Sequence, residues 1–245
     1  MANLVVRDDV GGVTTLTLNR PDKLNALNSE LFSELEAHLT GISGDVESVG
    51  LVVIRGAGKC FSAGLDLSEP LDNQKVPLLM RAQIVDRIAT LPQPVVAAVH
   101  GYCYTGALEI ALAADLIFSA TSAKFADTHA RWGLTPAWGM SQRLPRRIGR
   151  AQASRMTFTA ATVTAEEALA LGLVDMIATD DCFEKELAEF AASIIANSWF
   201  SLRASKQLML ETDGLPLAAG VAWELFRRAG KAPDFEARIA RFVRK

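Results

Sequence analysis

The stretch GYCYTGALEIALAAD, residues 101–115, decides how this chain is read. It is a glycine turn running into a helix of Ala, Leu and Ile, with Glu109 among those apolar residues near the helix start. A carboxylate in such surroundings is paired with a cation, reaches back to water, or is held for chemistry. Immediately before it, PQPVVAAVHG (92–101) is apolar without alternation, as a strand buried on both faces is.

Upstream the same succession of elements recurs. VTTLTLNR (13–20) alternates like a half-buried strand, and SELFSELEAHLTGI (29–42) has apolar residues at helical spacing with Asn28 or Ser29 placed to cap it. VGLVVIRGAG (49–58) is a buried strand with a glycine turn, and KVPLLMRAQIVDRIATL (75–91) is a helix. The unit 92–114 follows, then strand-like LIFSA (116–120). Strand, glycine turn and helix are thus expected about every 45 to 50 residues, and the alternation predicts an α/β fold. After residue 144 helices dominate: 147–160, 165–173, 182–197, 200–211 and 216–230, with one short strand at 174–178. Thr164 and Glu167 have the spacing of a capping box. The architecture is expected to change between 190 and 200, which divides the chain into 1–195 and 196–245. Trp199, Phe200, Leu208, Leu210, Trp223, Leu225 and Phe226 lie in the second part, where a neighbouring subunit as well as the chain's own core can cover them.

The chain has 245 residues, 50% hydrophobic and 22% charged, with a formal net charge of −3. That composition suits a globular protein with a sizeable core and speaks against a general nucleic-acid binder. The opening MANLVVRDDV carries charge where a secretory segment is apolar, and no long uncharged apolar window predicts a membrane span. The cysteines, Cys60, Cys103 and Cys182, are widely spaced and form no metal pattern, so a reduced, cytoplasmic protein is expected. GAGKC (56–60) lacks the spacing of a phosphate loop, no GxSxG is present, and three histidines form no HExxH.

Two glycine-bearing turns therefore remain as carriers of chemistry, GAGKCFSAGLDL (56–67) and HGYCYTGAL (100–108). Each follows a buried strand and enters a helix. N–H groups at such places are free to donate, and two turns side by side can aim two donors at one oxygen acquiring negative charge.

LNRPDKLNALN (18–28), VIRGAGKCFSAGLDL (53–67), HGYCYTGALEIALAAD (100–115), FADTHARWGLTPAWGMSQRLPRRIG (125–149) and AEEALALGLVD (165–175) resemble, in order and approximate spacing, the enoyl-CoA hydratase/isomerase (crotonase) family. The resemblance implies a crotonase-like spiral of repeated ββα units with a helical C-terminal oligomerisation region, forming homotrimers or hexamers built as dimers of trimers. It implies an acyl-CoA thioester as substrate and no separate cofactor, coenzyme A being part of the substrate. By motif, the N–H groups of Leu65 and Gly106 bind the thioester oxygen, and Lys23, Leu24, Ala26, Ala63, Asp66 and Leu67 contact coenzyme A. Asp66 alternatively braces its turn. Lys206, Arg244 and Lys245 are either partners for CoA phosphates or members of solvated helix faces.

Glu109 matches one of the two carboxylates that hydratases of this family use as acid and base. The alternative is a buried Glu paired with an Arg. The second family carboxylate belongs to a segment F-x-x-P-E, and in the matching stretch here, Phe125 to His129, that place is held by His129. A neutral imidazole accepts a proton and its conjugate acid donates one, so a Glu/His pair can still hydrate. In an extended segment Asp127 faces the same way as His129 and either orients it or is solvated. Trp132, Trp138 and Met140 either shape the acyl pocket or pack in the core. The expected activity is hydration of a trans-2-enoyl-CoA by an enoyl-CoA hydratase. The alternatives are another reaction through the same enolate (isomerisation, decarboxylation or thioester hydrolysis) and a weakly catalytic acyl-CoA-binding protein.

Overall fold

The computed structural model describes residues 3–69 and 75–243. Its strands are β1 (Val5–Val10), β2 (Val13–Leu18), β3 (Leu51–Gly56), β4 (Val95–Val99), β5 (Tyr102–Tyr104), β6 (Leu116–Ala120), β7 (Lys124–Ala126), β8 (Val163–Thr164) and β9 (Met176–Ala178). Its helices are α1 (Ser29–Gly44), α2 (Leu78–Thr90), α3 (Gly106–Ala113), α4 (Met140–Ile148), α5 (Arg150–Thr159), α6 (Ala165–Ala170), α7 (Phe183–Ile195), α8 (Trp199–Thr212), α9 (Leu217–Phe226) and α10 (Phe235–Val243).

The larger sheet has the order β1-β2-β3-β4-β6-β9, antiparallel only between β1 and β2. Successive side chains of a strand leave on opposite faces, which divides the core. Val52 and Ile54 of β3, with Val95, Ala97 and Val99 of β4, enter the main core shared with α1, α2 and α3. Leu51, Val53, Val96 and Ala98 enter a second core roofed by Phe183, Leu187 and Ala191 of α7. Continuous apolar strands are needed because both faces are covered.

Each main strand is followed by a short extended segment in a second layer. The Ala63 N–H donates to the Leu24 carbonyl (3.0 Å), Leu27 to Gly64 (2.8 Å) and Asp66 to Leu27 (3.1 Å). Ser62 donates to the Tyr102 carbonyl (2.9 Å), and β5 pairs in parallel with β7. Segments 24–27, 62–66, β5 and β7 thus run side by side, each contributed by the next repeat. β2, 24–27 and α1 form one ββα unit; β3, 62–66 and α2 the next; β4, β5 and α3 the third. The main strands start at Val13, Leu51, Val95 and Leu116. The expected interval of 45 to 50 residues is therefore not kept, because α3 is only eight residues long and its unit closes early.

Asn28 caps α1 by accepting from the Leu31 N–H, and Thr164 and Glu167 make the full capping box of α6. The expected helix over 147–160 is two helices: Gly149, at φ +77°, ends α4 and starts α5. Beyond Ile195, α8 docks through Trp199. A Cβ on Gly50 would fall 2.3 Å from the indole, so the absence of a side chain there makes the seat. Trp199 is thus held by its own chain. Helices α9 and α10 bury no residue, and Leu225, Phe226, Phe242 and Val243 are exposed.

Candidate active site

A cavity of about 220 Å³ opens where the second-layer segments meet the start of α3. Leu65, Gly106, Glu109, His129, Leu134 and Trp138 are among its walls. Main-chain pairing brings them together. Leu65 follows Gly64, Gly106 follows β5, and His129 follows β7 by three residues.

Leu65 is bridged in parallel to Leu27, and the bonds of that bridge are made by its neighbours Gly64 and Asp66. Its own N–H therefore points to the other side of the segment. Gly106 is the first residue of α3, where N–H groups have no acceptor within the helix and the helix adds positive potential. Neither N–H finds an acceptor among the described residues. The two turns are in close contact: a Cβ on Gly64 would lie 2.6 Å from the Tyr104 carbonyl oxygen and 3.5 Å from the Gly106 nitrogen. With φ +97° at Gly64, only glycine allows that approach. At Gly106 a Cβ would meet the Trp138 ring at 2.4 Å. Thr105, just before it, has φ +53° and ψ −110°, a strained state for a β-branched residue. Its N–H donates to the Ala126 carbonyl (2.8 Å) and its hydroxyl meets that of Thr128, so β7 holds the strain in place. Thr105 was not anticipated; a positive φ at Thr has no sequence signature.

All eight residues of α3 are buried, and Glu109 is 1% exposed. No arginine pairs with it among the described residues. Its Oε1 accepts from the main-chain N–H groups of Trp138 (2.8 Å) and Met140 (3.0 Å). Its Oε2 faces His129 Nε2 at 3.8 Å. Burial pushes the Glu109 carboxyl above its ordinary value; the two N–H groups and His129 pull the other way and do not outweigh it.

His129 opens a short 3-10 turn, His129–Trp132, and is 7% exposed. Asp127 is fully buried, and its Oδ1 accepts both from the His129 ring at Nδ1 (2.7 Å) and from the His129 main-chain N–H (3.2 Å). The two side chains do meet, but not by the route expected. The strand ends at Ala126, and a turn, rather than an extended segment, closes the pair.

The segments proposed for coenzyme A form one surface. Lys23, Leu24 and Leu67 are exposed, Ala26, Ala63 and Asp66 are half-buried, and the bonds between 24–27 and 62–66 join them. Asp66 braces its turn: it pairs with Arg20 (2.9 Å) and accepts from the Ser68 N–H and hydroxyl. Asn25, fully buried at φ +54°, ties the loop down by donating to the carbonyls of Ala57 and Cys60 (2.8 Å each).

Two expectations fail. Lys206 is neither on a solvated face nor free for a phosphate. It is 4% exposed and donates to Asp115 (2.7 Å) and the Gln93 carbonyl (3.0 Å), because α8 lies against the starts of the interior strands β4 and β6. Trp132 is 58% exposed and belongs neither to the core nor to the cavity wall, whereas Trp138 and Met140 are buried. Arg244 and Lys245 lie outside the described residues.

Known proteins agree with this construction. The sequence profile of the enoyl-CoA hydratase/isomerase family matches residues 8–245. The protein of Arabidopsis thaliana named probable enoyl-CoA hydratase 1, peroxisomal, is 33% identical over 232 residues, covering 94% of this chain and 86% of that protein. The short-chain-enoyl-CoA hydratase of Clostridium acetobutylicum is 35% identical over 211 residues, 84% of this chain and 80% of its own. The crystal structure of an enoyl-CoA hydratase from Mycobacterium smegmatis superposes with a TM-score of 0.89 at 27% identity, over 98% of this chain and 96% of that one. A profile match over nearly the whole length, relatives at one-third identity and a shared fold together establish that the chain belongs to the enoyl-CoA hydratase/isomerase family.

Proposed function

We propose that this protein is an enoyl-CoA hydratase, adding water across the double bond of a trans-2-enoyl-CoA. The observation that carries this reading is the Glu109–His129 pair: two buried proton-transfer groups, 3.8 Å apart, in the wall that also presents the Leu65 and Gly106 turns. That separation is too long for a direct hydrogen bond and suits two groups that grip one water. The thioester oxygen accepts from the Leu65 and Gly106 N–H groups, an oxyanion hole. Electron density drawn to that oxygen makes Cβ electrophilic and stabilises the enolate; one such donor contributes about 10²–10³ in rate. Glu109 is the principal acid and base and His129 the second group. Water, thioester and these residues supply the whole reaction, so no cofactor is needed.

Lys23, Leu24, Ala26, Ala63, Asp66 and Leu67 form the surface on which coenzyme A lies, with Asp66 acting there by bracing the turn. Residues 196–245 are the oligomerisation region, and the exposed apolar residues of α9 and α10 support a trimer or a pair of trimers. Among the described residues no helix is long and apolar enough to cross a membrane. The unpaired cysteines, two of them buried, fit a cytoplasmic setting.

Loss of the conjugated-enoyl absorbance on mixing with a short 2-enoyl-CoA, with product mass showing the gain of one water, tests the reading. Glu109→Gln and His129→Ala should each lower turnover by about 10²–10⁴. Turnover that survives Glu109→Gln overturns the assignment. A product without added water points instead to isomerisation or thioester cleavage.

A further inference from the structure

Asp127 lies behind His129, away from the reacting atoms, and its contacts determine what His129 can do. An ionised carboxylate only accepts hydrogen bonds. Burial alone would raise the Asp127 carboxyl, but hydrogen bonds from the His129 ring, the Thr157 side chain and the His129 main chain hold it below its ordinary value and so favour the ionised form. With Asp127 Oδ1 2.7 Å from His129 Nδ1, the ring proton must sit on Nδ1. In its neutral form the imidazole then turns a bare Nε2 lone pair toward Glu109 Oε2. Across the gap, Glu109 Oε1 is already occupied by two main-chain donors, which leaves Oε2 as the oxygen that can carry a proton into the cavity.

We propose that Asp127 is a positioning residue that locks His129 as its Nδ1–H tautomer, so that Nε2 takes the proton of the attacking water while Glu109 Oε2 delivers a proton to Cα. The inference rests on the hydration reading and divides the labour within it. The water oxygen forms the bond to Cβ and one of its protons goes to His129 Nε2. The π electrons of the double bond pass to the thioester enolate and then into the new Cα–H bond, whose proton comes from Glu109. The enzyme is left with imidazolium and carboxylate. Transfer from Nε2 to Oε2, which face each other, restores both groups, and the sum is one water added.

Asp127 suits the imidazolium step. Its second oxygen, Oδ2, is buried with no partner at hydrogen-bond distance among the described residues, although the Thr157 side chain lies near enough to help hold the carboxylate ionised, so a cationic ring adds to the compensation of its charge. The other charged group facing the ring is Glu109, neutral in this division until its proton has moved.

The test reads the tautomer directly. In full-length protein labelled with ¹⁵N-histidine, His129 is assigned against His38 and His100 with His129→Ala, and long-range ¹H–¹⁵N correlations show which nitrogen holds the proton. Wild type is expected to be Nδ1–H. Asp127→Asn, whose amide donates to Nδ1, is expected to be Nε2–H, with kcat down by about 10²–10⁴ and KM little changed. Asp127→Asn added to His129→Ala should lower kcat no further, since the two act as a unit. A wild type that hydrates 2-enoyl-CoA but holds His129 as Nε2–H or as imidazolium overturns the inference and leaves the reading of the reaction standing. A further loss in the His129→Ala background also overturns it, showing Asp127 to be a structural support of the turn. A wild type with the Nδ1–H tautomer that turns over no 2-enoyl-CoA overturns both the catalytic role argued here and the reading of the reaction.

Discussion

At Glu109 the fold sets two influences against each other. Apolar burial in α3 disfavours the charged carboxylate, while two main-chain N–H groups and His129 favour it; burial prevails and the carboxyl titrates above its ordinary value of 4.5. A carboxylic acid raised in this way binds its proton more tightly folded than unfolded. Its contribution to stability is therefore full below pH 4.5 and is lost as pH rises through the folded value. Glu109→Gln keeps an acceptor for the Trp138 and Met140 N–H groups and removes the ionisation. Thermal melts across this range should show the variant at least as stable as wild type near neutral pH, with that margin shrinking or reversing toward pH 4.5. A variant destabilised most at neutral pH would contradict the direction of the shift. Loss of activity with gain of stability is the signature of a group kept for chemistry rather than for packing. The arginine partner that a buried glutamate invites from sequence is absent among the described residues, and its place is taken by main-chain donors of residues 138 and 140. Those lie about thirty residues away in the chain, a distance over which one sequence carries no pairing signal.

The short elements build the site. β5 and β7 have three residues each, too few to show a period of two, so their sequences carry no strand signal although both flank motifs of the site. Their pairing puts Thr105 against Thr128 and so sets the start of α3 beside the His129 turn. The long elements were legible because their patterns repeat: alternation in β2, continuous apolar β3 and β4, capped α1 and α6. Helix α8 joins the core through a contact that its sequence conceals. Lys206 looks like a surface residue, yet it crosses to Asp115 and the Gln93 carbonyl, and Asp115 also accepts from the Val95 N–H at the start of β4 (2.7 Å). Burial pulls the Lys206 ammonium down and pushes the Asp115 carboxyl up, each partly offset by the other. Lys206→Met removes the donor of the Gln93 carbonyl and leaves the Asp115 carboxylate with only the Val95 N–H. Asp115 keeps some contact with water, so a loss of about 1–3 kcal/mol is expected in urea unfolding, with kcat unchanged. An unchanged unfolding midpoint would show the pair to be idle.

In the whole molecule the C-terminal helices present more apolar surface than a lone chain keeps uncovered. Leu217, Leu225, Phe226, Phe242 and Val243 are each at least 75% exposed, on helices that bury nothing of their own. The self-association proposed above would cover them. The double variant Leu225→Asp, Phe226→Asp should shift the mass measured by sedimentation velocity from an oligomer toward the single chain, more so on dilution. A wild type that sediments as a single chain, or an oligomer whose mass the two added charges leave unchanged, would overturn the proposed contact.

The sequence by itself determined the fold class and the order of the long elements, which are written in local patterns: periodicity, capping spacing, and turns that demand glycine. Its motifs, by their resemblance, pointed to the family and to the residues of a candidate site. Only the tertiary structure decided which atoms face one another. The Gly64–Gly106 approach, the two donors on Glu109 Oε1, the Nε2 edge of His129 turned to Oε2, and the burial of Lys206 all depend on contacts between distant segments. Their geometry is settled when the sheets and helices pack, and no local preference of the residues involved encodes it.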